Sequence, residues 1–549
     1  MTRRELLIAA ALTPLASAKT KKRPNIILFV SDDQGYGDLS LHGNPVLETP
    51  NLDRIAHEGA EFTQFHVNPV CSPTRSSLLT GRYYYRTGVV DTYMGRSMMY
   101  NDEVTIAEVL QKSGYKTGIF GKWHLGDHYP MRPMEQGFEE VLVHEGGGIA
   151  QPSDPPDGNS YFDPKLMHNG KPEQRKGYCT DVFFAAAMEF ISTNKDKPFF
   201  TYLASNAPHV PLQVDEKYVA PYRRKVDDNT ARTYGMLANL DENTGRLLAH
   251  LKKEGLEENT ILIYLSDNGP TPARYNCGMR GLKGTVYEGG IRTPLFIRWP
   301  GAVQPGVKID RLTAHIDMFP TLLETCGLAA PPKDQIDGTS FHSLLTRPES
   351  AANWQDRTIY FQWHRGDRGE LYNSCAARNQ RYKMVNGKEL YDLDTDPAEA
   401  HSIADSQPGR LAEMRTGYEA WFKDVAATRN FEPPRIYLGT KFENPVLLTR
   451  QDWRGPLASW VAGGLGYWEV DVREAGNYEL TLIFPETPAS GQASVTLGGL
   501  SNQIPVAAGA KSVTLKLTGV PLGKTRAEAE LVLGGKPPIG AYYLNVNRI

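Results

Sequence analysis

The chain of 549 residues is long enough for two or three domains and a large buried core. Its 60 Lys and Arg residues against 63 Asp and Glu residues leave a formal net charge of −3, so it lacks the basic excess that nucleic-acid-binding proteins carry. The 51 Gly and 38 Pro residues predict many loops without a low-complexity composition, and no internal stretch is apolar enough to cross a bilayer.

The first residues have the pattern of a targeting segment. Arg3 and Arg4 precede an apolar run over residues 6–12, and Ala16-Ser17-Ala18 forms a small-residue cleavage site. We therefore expect residues 1–18 to be a signal peptide and the protein to be exported, to the periplasm or outside the cell, by the export machinery and without a transmembrane anchor. Arg3-Arg4 also resembles a twin-arginine motif, so Sec and Tat export both stay open. The alternative is a short amphipathic or core helix.

Two short apolar runs end in oxygen-bearing side chains. Residues 25–30 have the character of a buried parallel strand and lead into Asp32 and Asp33. Residues 260–265 repeat this pattern and lead into Asp267 and Asn268. Ligands of open α/β sheets bind beyond the carboxyl ends of the strands, and three carboxylates with one amide carbonyl suit Ca²⁺ or Mg²⁺ but not Zn²⁺. The alternative for any single Asp at a strand end is a turn.

The segment Cys71-Ser72-Pro73-Thr74-Arg75 predicts the start of a helix. Proline favours the first helical position, and Ser72 is then the expected N-cap. A side chain at position 71 would lie at a helix N-terminus, where an anion such as sulfate is favoured, and Arg75 could reach back to it from the next turn. The alternative is that Cys71 is a small buried hydrophobe.

The Cys-x-Pro-x-Arg pattern resembles the signature of type I sulfatases, the formylglycine-dependent, arylsulfatase-like members of the alkaline-phosphatase superfamily. Other segments resemble further motifs of that family in the same order, and no catalytic position of the family pattern is substituted. These segments are residues 30–38 (VSDDQGYGD), 121–126 (GKWHLG), 207–212 (APHVPL), 281–290 (GLKGTVYEGG) and 389–399 (ELYDLDTDPAE).

The resemblance implies a covalent mechanism. Cys71 would be oxidised by a formylglycine-generating maturation enzyme, and its hydrated aldehyde would be the nucleophile. Arg75 and Lys122 would fix this hydrate and lower the pKa of its hydroxyl, and Asp267 would take the proton. The resemblance also implies that the metal ligands are Asp32, Asp33, Asp267 and Asn268, with Ca²⁺ preferred to Mg²⁺.

The remaining implied roles concern sulfate and the leaving group. Lys283 and His209 would bind sulfate, and one of them would protonate the leaving alcohol. His124 would accept the last diol proton, which releases sulfate and restores the aldehyde. The alternatives are a core histidine at 124 and solvated lysines at 122 and 283, although glycines flank both lysines and allow close approach of a ligand.

The order of patterns predicts an α/β fold with a large mixed, mainly parallel sheet sandwiched by helices. Residues 23–328 form the expected catalytic domain, with helices near 102–113, 180–193 and 230–253. Residues 329–430, with strands at 358–364 and 382–385 and a helix at 410–427, resemble the small antiparallel C-terminal sulfatase subdomain. Residues 431–549 alternate apolar and polar side chains in short runs, which predicts an appended antiparallel β-sandwich.

The role of residues 431–549 stays open between a carbohydrate-binding domain and a structural one. Trp453 and Trp460 are candidates for stacking on sugar rings, provided that they are exposed. The five cysteines are an odd number, which flags one unpaired thiol with Cys71 as the candidate, while the pairing of the others cannot be read from the sequence.

The predicted function is hydrolysis of sulfate monoesters, with an exported or environmental sulfated carbohydrate as substrate and aryl sulfates also accepted. Loops 83–100 and 146–176 are rich in Gly, Asp, Tyr and Arg and are expected to line a polar cleft. The alternatives are a phosphomonoester or phosphonate-ester hydrolase of the same superfamily and a non-catalytic glycan-binding protein. Zinc phosphatases need His-rich ligands and a Ser or Thr nucleophile, and the intact residue set argues against a non-catalytic domain.

Overall fold

A computed structural model describes residues 23–329, 331–332 and 335–549. The predicted signal peptide, residues 1–18, lies outside the described residues. Among the helices in these ranges, none combines the length and the apolar character needed to cross a membrane.

Residues 25–325 contain both strands and helices. Their bounds are β1 Asn25–Ser31, α1 Pro50–His57, β2 Ala60–Phe62, β3 Phe65–His66, α2 Cys71–Thr80, α3 Tyr84–Thr87, α4 Ile106–Lys112, β4 Lys116–Lys122, β5 Glu140–His144, β6 Lys165–His168, β7 Lys171–Gln174, α5 Cys179–Thr193, β8 Phe199–Ala204, α6 Glu216–Val219, α7 Asp228–Lys253, β9 Thr260–Ser266, α8 Glu288–Ile291, β10 Leu295–Arg298, β11 Val307–Ile309, β12 Thr313–Ala314 and α9 Met318–Thr325.

Ten of these strands form one mixed sheet in the order β11-β2-β10-β9-β1-β8-β4-β5-β6-β7. Its centre, β9-β1-β8-β4-β5, is entirely parallel. Val30 pairs with Ala204 on one side and Leu265 on the other, so β1, β8 and β9 end at the same level. The segments that follow these strands therefore emerge side by side at one edge of the sheet.

The sheet is covered on both faces. Successive residues of β1 point into two different cores, with Ile26 and Leu28 in one and Ile27 and Phe29 in the other. Helix α2 packs on the first face, and α1, α5 and α7 pack on the second. The alternation follows from the period of two in a strand, and it explains why β1 is apolar throughout. The predicted parallel sheet between two helical layers is confirmed.

Helix α4 begins later than the predicted 102–113. Thr105 is its N-cap: the Thr105 hydroxyl accepts from the Glu108 amide, and the Glu108 carboxylate accepts from the Thr105 amide. This capping box sets the helix start at Ile106.

A small antiparallel sheet follows, with the strand order β13-β14-β15-β16, and a long helix packs against it. The elements are α10 His342–Thr346, β13 Ile359–Gln362, β14 Cys375–Arg378, β15 Tyr382–Val385, β16 Glu389–Asp392 and α11 Pro408–Arg429. Their core is continuous with one face of the large sheet, so this unit packs against that sheet.

The C-terminal residues form two facing sheets around one core, as predicted. The sheet orders are β17-β19-β24-β21-β22, with β25 on β24, and β18-β26-β20-β23. All pairings are antiparallel except that of β17 with β19. The strands are β17 Ile436–Leu438, β18 Val446–Thr449, β19 Tyr467–Val472, β20 Gly476–Ile483, β21 Gly491–Leu497, β22 Leu500–Val506, β23 Ser512–Val520, β24 Gly523–Leu533, β25 Ile539–Gly540 and β26 Tyr543–Arg548.

Candidate active site

The residues predicted to be oxygen ligands lie close together, at the carboxyl ends of two neighbouring parallel strands. Asp32 and Asp33 follow β1, and Asp267 and Asn268 follow β9, its direct neighbour. The Asp33 amide donates to Asp267 Oδ1 at 3.3 Å, and Asn268 Nδ2 donates to Asp33 Oδ1 at 2.9 Å. All four side chains are buried. The strand-end rule thus accounts for the meeting of residues more than 230 positions apart.

Cys71 lies against this cluster as the first residue of α2. One ligand atom each of Asp32, Cys71 and Asp267 lies within 4.8 Å of the others. The helix begins two residues earlier than the sequence predicts, with Val70 as N-cap. The expectation for Ser72 is therefore wrong: its hydroxyl donates to the His124 carbonyl at 2.6 Å and caps nothing.

Two buried ion pairs surround the cluster. Arg75 donates through Nε and Nη2 to Asp267 Oδ2 at 3.0 and 2.7 Å, and Lys122 Nζ lies 2.7 Å from Asp32 Oδ2. All four side chains are 0% exposed. Charges this deeply buried are costly unless they are paired, so in each pair one residue compensates the charge of the other and fixes its position.

The oxygen cluster fits a cation. Asp32 Oδ1, Asp33 Oδ2 and Asn268 Oδ1 are buried, and none has a hydrogen-bond partner. Buried acceptors are almost always satisfied, so three orphaned oxygens from neighbouring strand ends require an explanation. A hard divalent ion with oxygen ligands supplies one, because it would bind these lone pairs and offset the carboxylate charge.

The second lysine and the second histidine reach the same cluster. Lys283 Nζ lies 2.5 Å from Asp33 Oδ1, and His209 Nε2 lies 3.9 Å from Asp33 Oδ2. Burial raises the pKa of Asp33, but Lys283, His209 and Lys122 outweigh it and hold that pKa well below the usual range. Asp33 is therefore ionised at neutral pH.

His124 is held as one tautomer. Its Nε2 donates to the Thr92 carbonyl at 2.7 Å, which leaves Nδ1 unprotonated, buried and without a hydrogen-bond partner. Burial, with Lys122 nearby, holds the pKa of His124 well below its usual value. Both His124 and Asp33 adopt left-handed backbone conformations, with φ of 60° and 66°, which cost energy for residues other than glycine. Such strain clusters where side-chain direction matters for function.

A cavity of about 670 Å³ opens onto Cys71, His124, His209 and Lys283. Its walls also include Thr92 and Tyr93 from loop 83–100 and Gly147 and Gln151 from loop 146–176. Both loops that were expected to line a cleft therefore line this cavity. The volume is typical of sites for organic ligands and much larger than a sulfate group needs.

This geometry can be compared with known proteins. The family model described as "Sulfatase" matches residues 24–328, which is more than half of the chain. The chain belongs to the sulfatase family. A second model, described as "N-sulphoglucosamine sulphohydrolase, C-terminal", matches residues 282–416.

Individual sulfatases agree with this membership. N-acetylgalactosamine-6-sulfatase of Mus musculus is 32% identical over 423 residues, covering 71% of this chain and 78% of that protein. Arylsulfatase A of Homo sapiens is 33% identical over 445 residues, covering 75% and 84%. The crystal structure of Ps i-CgsB in complex with k-i-k-neocarrahexaose superposes with a TM-score of 0.66 at 31% identity, covering 74% of this chain and 94% of that one. This sulfatase is thus a sulfuric ester hydrolase of the alkaline-phosphatase superfamily. Its membership of the sulfatase family within that superfamily argues against the phosphoester and non-catalytic alternatives.

The sulfatase site also contains residues that the sequence patterns did not reveal. Gly147 and Gly148 pack against the imidazoles: a Cβ at 147 would lie 2.7 Å from His124 Cε1, and one at 148 would lie 2.9 Å from His209 Nδ1. The three consecutive glycines at 146–148 were the available signal. Trp363 and Arg365 also line the cavity, from the loop after β13, and no local pattern marks them.

The structure separates the two tryptophans proposed for sugar stacking. Trp453 is 1% exposed and belongs to the core of the β-sandwich, so it does not meet the condition of exposure for stacking on a sugar. A large apolar ring between two sheets is stabilised by burial. Trp460 is half-buried and lines the cavity. All five cysteines are unpaired, so Cys71 shares that property with four others.

Proposed function

We propose that this sulfatase hydrolyses sulfate monoesters of carbohydrates through a formylglycine hydrate made from Cys71, with Ca²⁺ bound by Asp32, Asp33, Asp267 and Asn268. The observation that carries the proposal is the position of Cys71 at the boundary between the oxygen cluster and the cavity. Residue 71 can thereby contact both a bound cation and a substrate.

The thiol of Cys71 itself is a poor nucleophile. Burial raises its pKa, with Lys122 and Lys283 only partly opposing this, so the neutral thiol predominates. Oxidation to an aldehyde by a maturation enzyme, followed by hydration, would place two hydroxyl groups on this carbon. Arg75 lies one helical turn after residue 71, and Lys122 lies at the end of β4. Both cations would favour ionisation of one of these two hydroxyl groups.

The charges of the site support a divalent ion. Three carboxylates, on Asp32, Asp33 and Asp267, face three cations, on Arg75, Lys122 and Lys283. These balance one another, so an added divalent ion leaves a net positive site that attracts a sulfate ester. When bound, Ca²⁺ would stabilise charge on the sulfonyl oxygens. A cage made of protein oxygens suits Ca²⁺ better than Mg²⁺, which retains several waters.

The first step of the reaction needs one residue to accept a proton and another to donate one. Asp267 is the acceptor for the attacking hydroxyl proton, because it is a buried carboxylate with an oxygen within 4.8 Å of the side chain of residue 71. The hydroxyl oxygen bonds to sulfur while the bond from sulfur to the alcohol oxygen breaks. Nδ1 of His209 donates to the Val210 carbonyl at 2.7 Å, so Nε2 is an acceptor and Lys283 is left to protonate the alcohol.

The sulfated intermediate must then decompose. His124 lines the same cavity and its Nδ1 has a free lone pair, so it would take the proton of the remaining hydroxyl. The carbon–oxygen bond to sulfate breaks, the aldehyde reforms, and water hydrates it again. The net reaction consumes one ester and one water and gives an alcohol and sulfate.

The substrate class rests on the relatives and on the targeting segment. One relative is named for N-acetylgalactosamine 6-sulfate, and Ps i-CgsB is known with a neocarrahexaose bound. Both names refer to saccharides. Export directed by residues 1–18 would bring the enzyme to extracellular or periplasmic polysaccharides. Small aryl sulfates would also fit the cavity.

The test compares hydrolysis of p-nitrophenyl sulfate by the wild type with that by Cys71→Ser and Cys277→Ser, after expression with a maturation enzyme. Cys277 is the matched control because it does not line the cavity and its Sγ donates to the His42 carbonyl at 3.2 Å, a contact that a serine hydroxyl preserves. We expect Cys71→Ser to lose turnover and Cys277→Ser to keep it. Turnover by Cys71→Ser at the wild-type rate, or faster hydrolysis of p-nitrophenyl phosphate than of the sulfate, would contradict the proposal.

A further inference from the structure

One wall of the cavity is aromatic and comes from three parts of the chain. Tyr93 lies on loop 83–100, Trp363 and Arg365 follow β13, and Trp460 belongs to the β-sandwich. The rings of Tyr93 and Trp460 meet edge to face, with centroids 5.2 Å apart. The Arg365 guanidinium contacts two rings of this wall: it lies 4.3 Å from the centroid of Tyr93 and 5.0 Å from the centroid of Trp363. We call these four residues the aromatic wall.

Trp460 is fixed within the β-sandwich. Its indole Nε1 donates to the Arg450 carbonyl at 3.2 Å, and Arg450 Nη1 donates back to the Trp460 carbonyl at 2.7 Å. The Arg450 guanidinium also lies 3.6 Å from the centre of the Tyr542 ring. The ring of Trp460 is therefore ordered before any ligand binds, which lowers the entropy cost of binding.

The β-sandwich also forms hydrogen bonds with loop 83–100, which carries Tyr93. The Gly95 amide donates to the Gln451 carbonyl at 2.9 Å, and Arg454 Nη2 donates to the Gly95 carbonyl at 2.9 Å. Gln451 Nε2 donates at 3.2 Å to the Thr92 carbonyl, the same atom that accepts from His124. Contacts from the sandwich thus position the loop that carries Tyr93.

Part of the aromatic wall is connected to His124 by a series of contacts. Thr92 bonds directly to His124, Tyr93 follows it in the chain, and Trp460 contacts the ring of Tyr93. In this series of contacts Thr92 and Tyr93 separate Trp460 from His124.

We propose that the aromatic wall is a subsite for the sugar ring next to the sulfated one, and that the β-sandwich completes it through Trp460. This inference rests on the proposed function and deepens it, because it makes an oligosaccharide the preferred substrate and assigns the C-terminal domain a place in the active site.

The composition of the wall favours a sugar over a purely apolar group. Sugar rings present an apolar face of C–H groups and an edge of hydroxyls. The flat rings of Trp460 and Trp363 match the first, while Arg365, Thr92 and Gln151 beside them offer polar groups to the second.

The experiment measures binding by calorimetry in the Cys71→Ser protein, which cannot turn over its ligand under the proposed mechanism. The probes are two matched pairs: N-acetylgalactosamine 6-sulfate with a chondroitin 6-sulfate tetrasaccharide, and galactose 4-sulfate with a κ-carrageenan tetrasaccharide. We expect at least one tetrasaccharide to bind about tenfold more tightly than its monosaccharide, and Trp460→Ala to abolish that gain, as for the loss of one aromatic contact of about 1.4 kcal/mol.

Leu457→Ala is the control, since Leu457 lies on the same loop, is 65% exposed and does not line the cavity. It should leave the gain with length unchanged. The inference is overturned if neither tetrasaccharide binds more tightly than its monosaccharide, or if the gain survives in Trp460→Ala. Hydrolysis of p-nitrophenyl sulfate is measured separately in the wild type and in Leu457→Ala, both with Cys71 intact, and should be equal in the two. Its absence in the wild type would instead count against the proposed function.

Discussion

Replacing Gly147 by alanine tests the role of His124 without altering any titratable group. The added Cβ would lie 2.7 Å from Cε1 and 2.8 Å from Nε2 of His124, whereas ordinary contacts begin at 3.4 Å. The backbone angle of Gly147 is not in the left-handed region, so the clash with the ring is the main effect. The imidazole must move by about 0.7 Å to remove it.

That movement has a definite cost. His124 is 2% exposed, and its Nε2–H bond to the Thr92 carbonyl is 2.7 Å long, so a shift of this size weakens the bond and redirects Nδ1. A misplacement of this order lowers turnover by about tenfold to a hundredfold, or about 1.4 to 2.7 kcal/mol in the activation barrier. Because His124 acts on the sulfated intermediate, the first step should be spared.

Stopped-flow hydrolysis of p-nitrophenyl sulfate separates the two steps. We expect Gly147→Ala to release a burst of nitrophenol close to the enzyme concentration and then to turn over slowly. Gly409→Ala is the control, because a Cβ there meets nothing within 4 Å. If folded Gly147→Ala keeps wild-type turnover, or slows without a burst, the assignment of His124 to the second step is refuted.

Three further predictions concern other parts of the site and the fold. Chelation of divalent ions should abolish activity and lower Tm, and Ca²⁺ should restore both at lower concentrations than Mg²⁺; unchanged Tm after exhaustive chelation would contradict the metal site. Arg75→Lys should lower kcat by about a hundredfold, since lysine cannot make the two bonds to Asp267, and near-normal kcat would contradict this. His128 interacts with Glu443 and Asp452 of the C-terminal β-sandwich domain. Burial lowers the pKa of His128, but these two carboxylates outweigh the effect of burial and raise the pKa to about 9. The stability from this charge is thus complete below about pH 6.5 and is lost as pH rises through 9, by about 3 kcal/mol. The Tm of the wild type should fall more steeply between pH 6.5 and 9.5 than that of His128→Gln, and parallel curves would contradict this.

Much of the site could be predicted because it depends on a local rule. Apolar strands that end in Asp32 and Asp267 imply that these two side chains lie close together once the strands are parallel neighbours, and β1 and β9 pair in this way. Lys122 illustrates the same rule, since it ends β4 and reaches Asp32 across the sheet edge. Such residues are set by sheet topology, which hydrophobic patterns reveal.

Other parts depend on tertiary contacts that no local pattern encodes. Ser72 has the chemistry of an N-cap, but its hydroxyl bonds to the His124 carbonyl, and the helix starts earlier. Trp363 and Trp460 reach the cavity only because two later domains pack beside it. Trp453 and Trp460 are seven residues apart in the same domain, yet one fills the core and the other faces the substrate cavity.

The most direct test of the central claim is the mass of the peptide that contains residue 71, taken from active enzyme expressed with a maturation enzyme. Conversion of the CH₂SH group to CHO lowers the mass by about 18 Da. We predict this loss at Cys71 and at none of the other four cysteines, in proportion to activity on p-nitrophenyl sulfate. An unmodified thiol at position 71 in fully active enzyme would contradict the account.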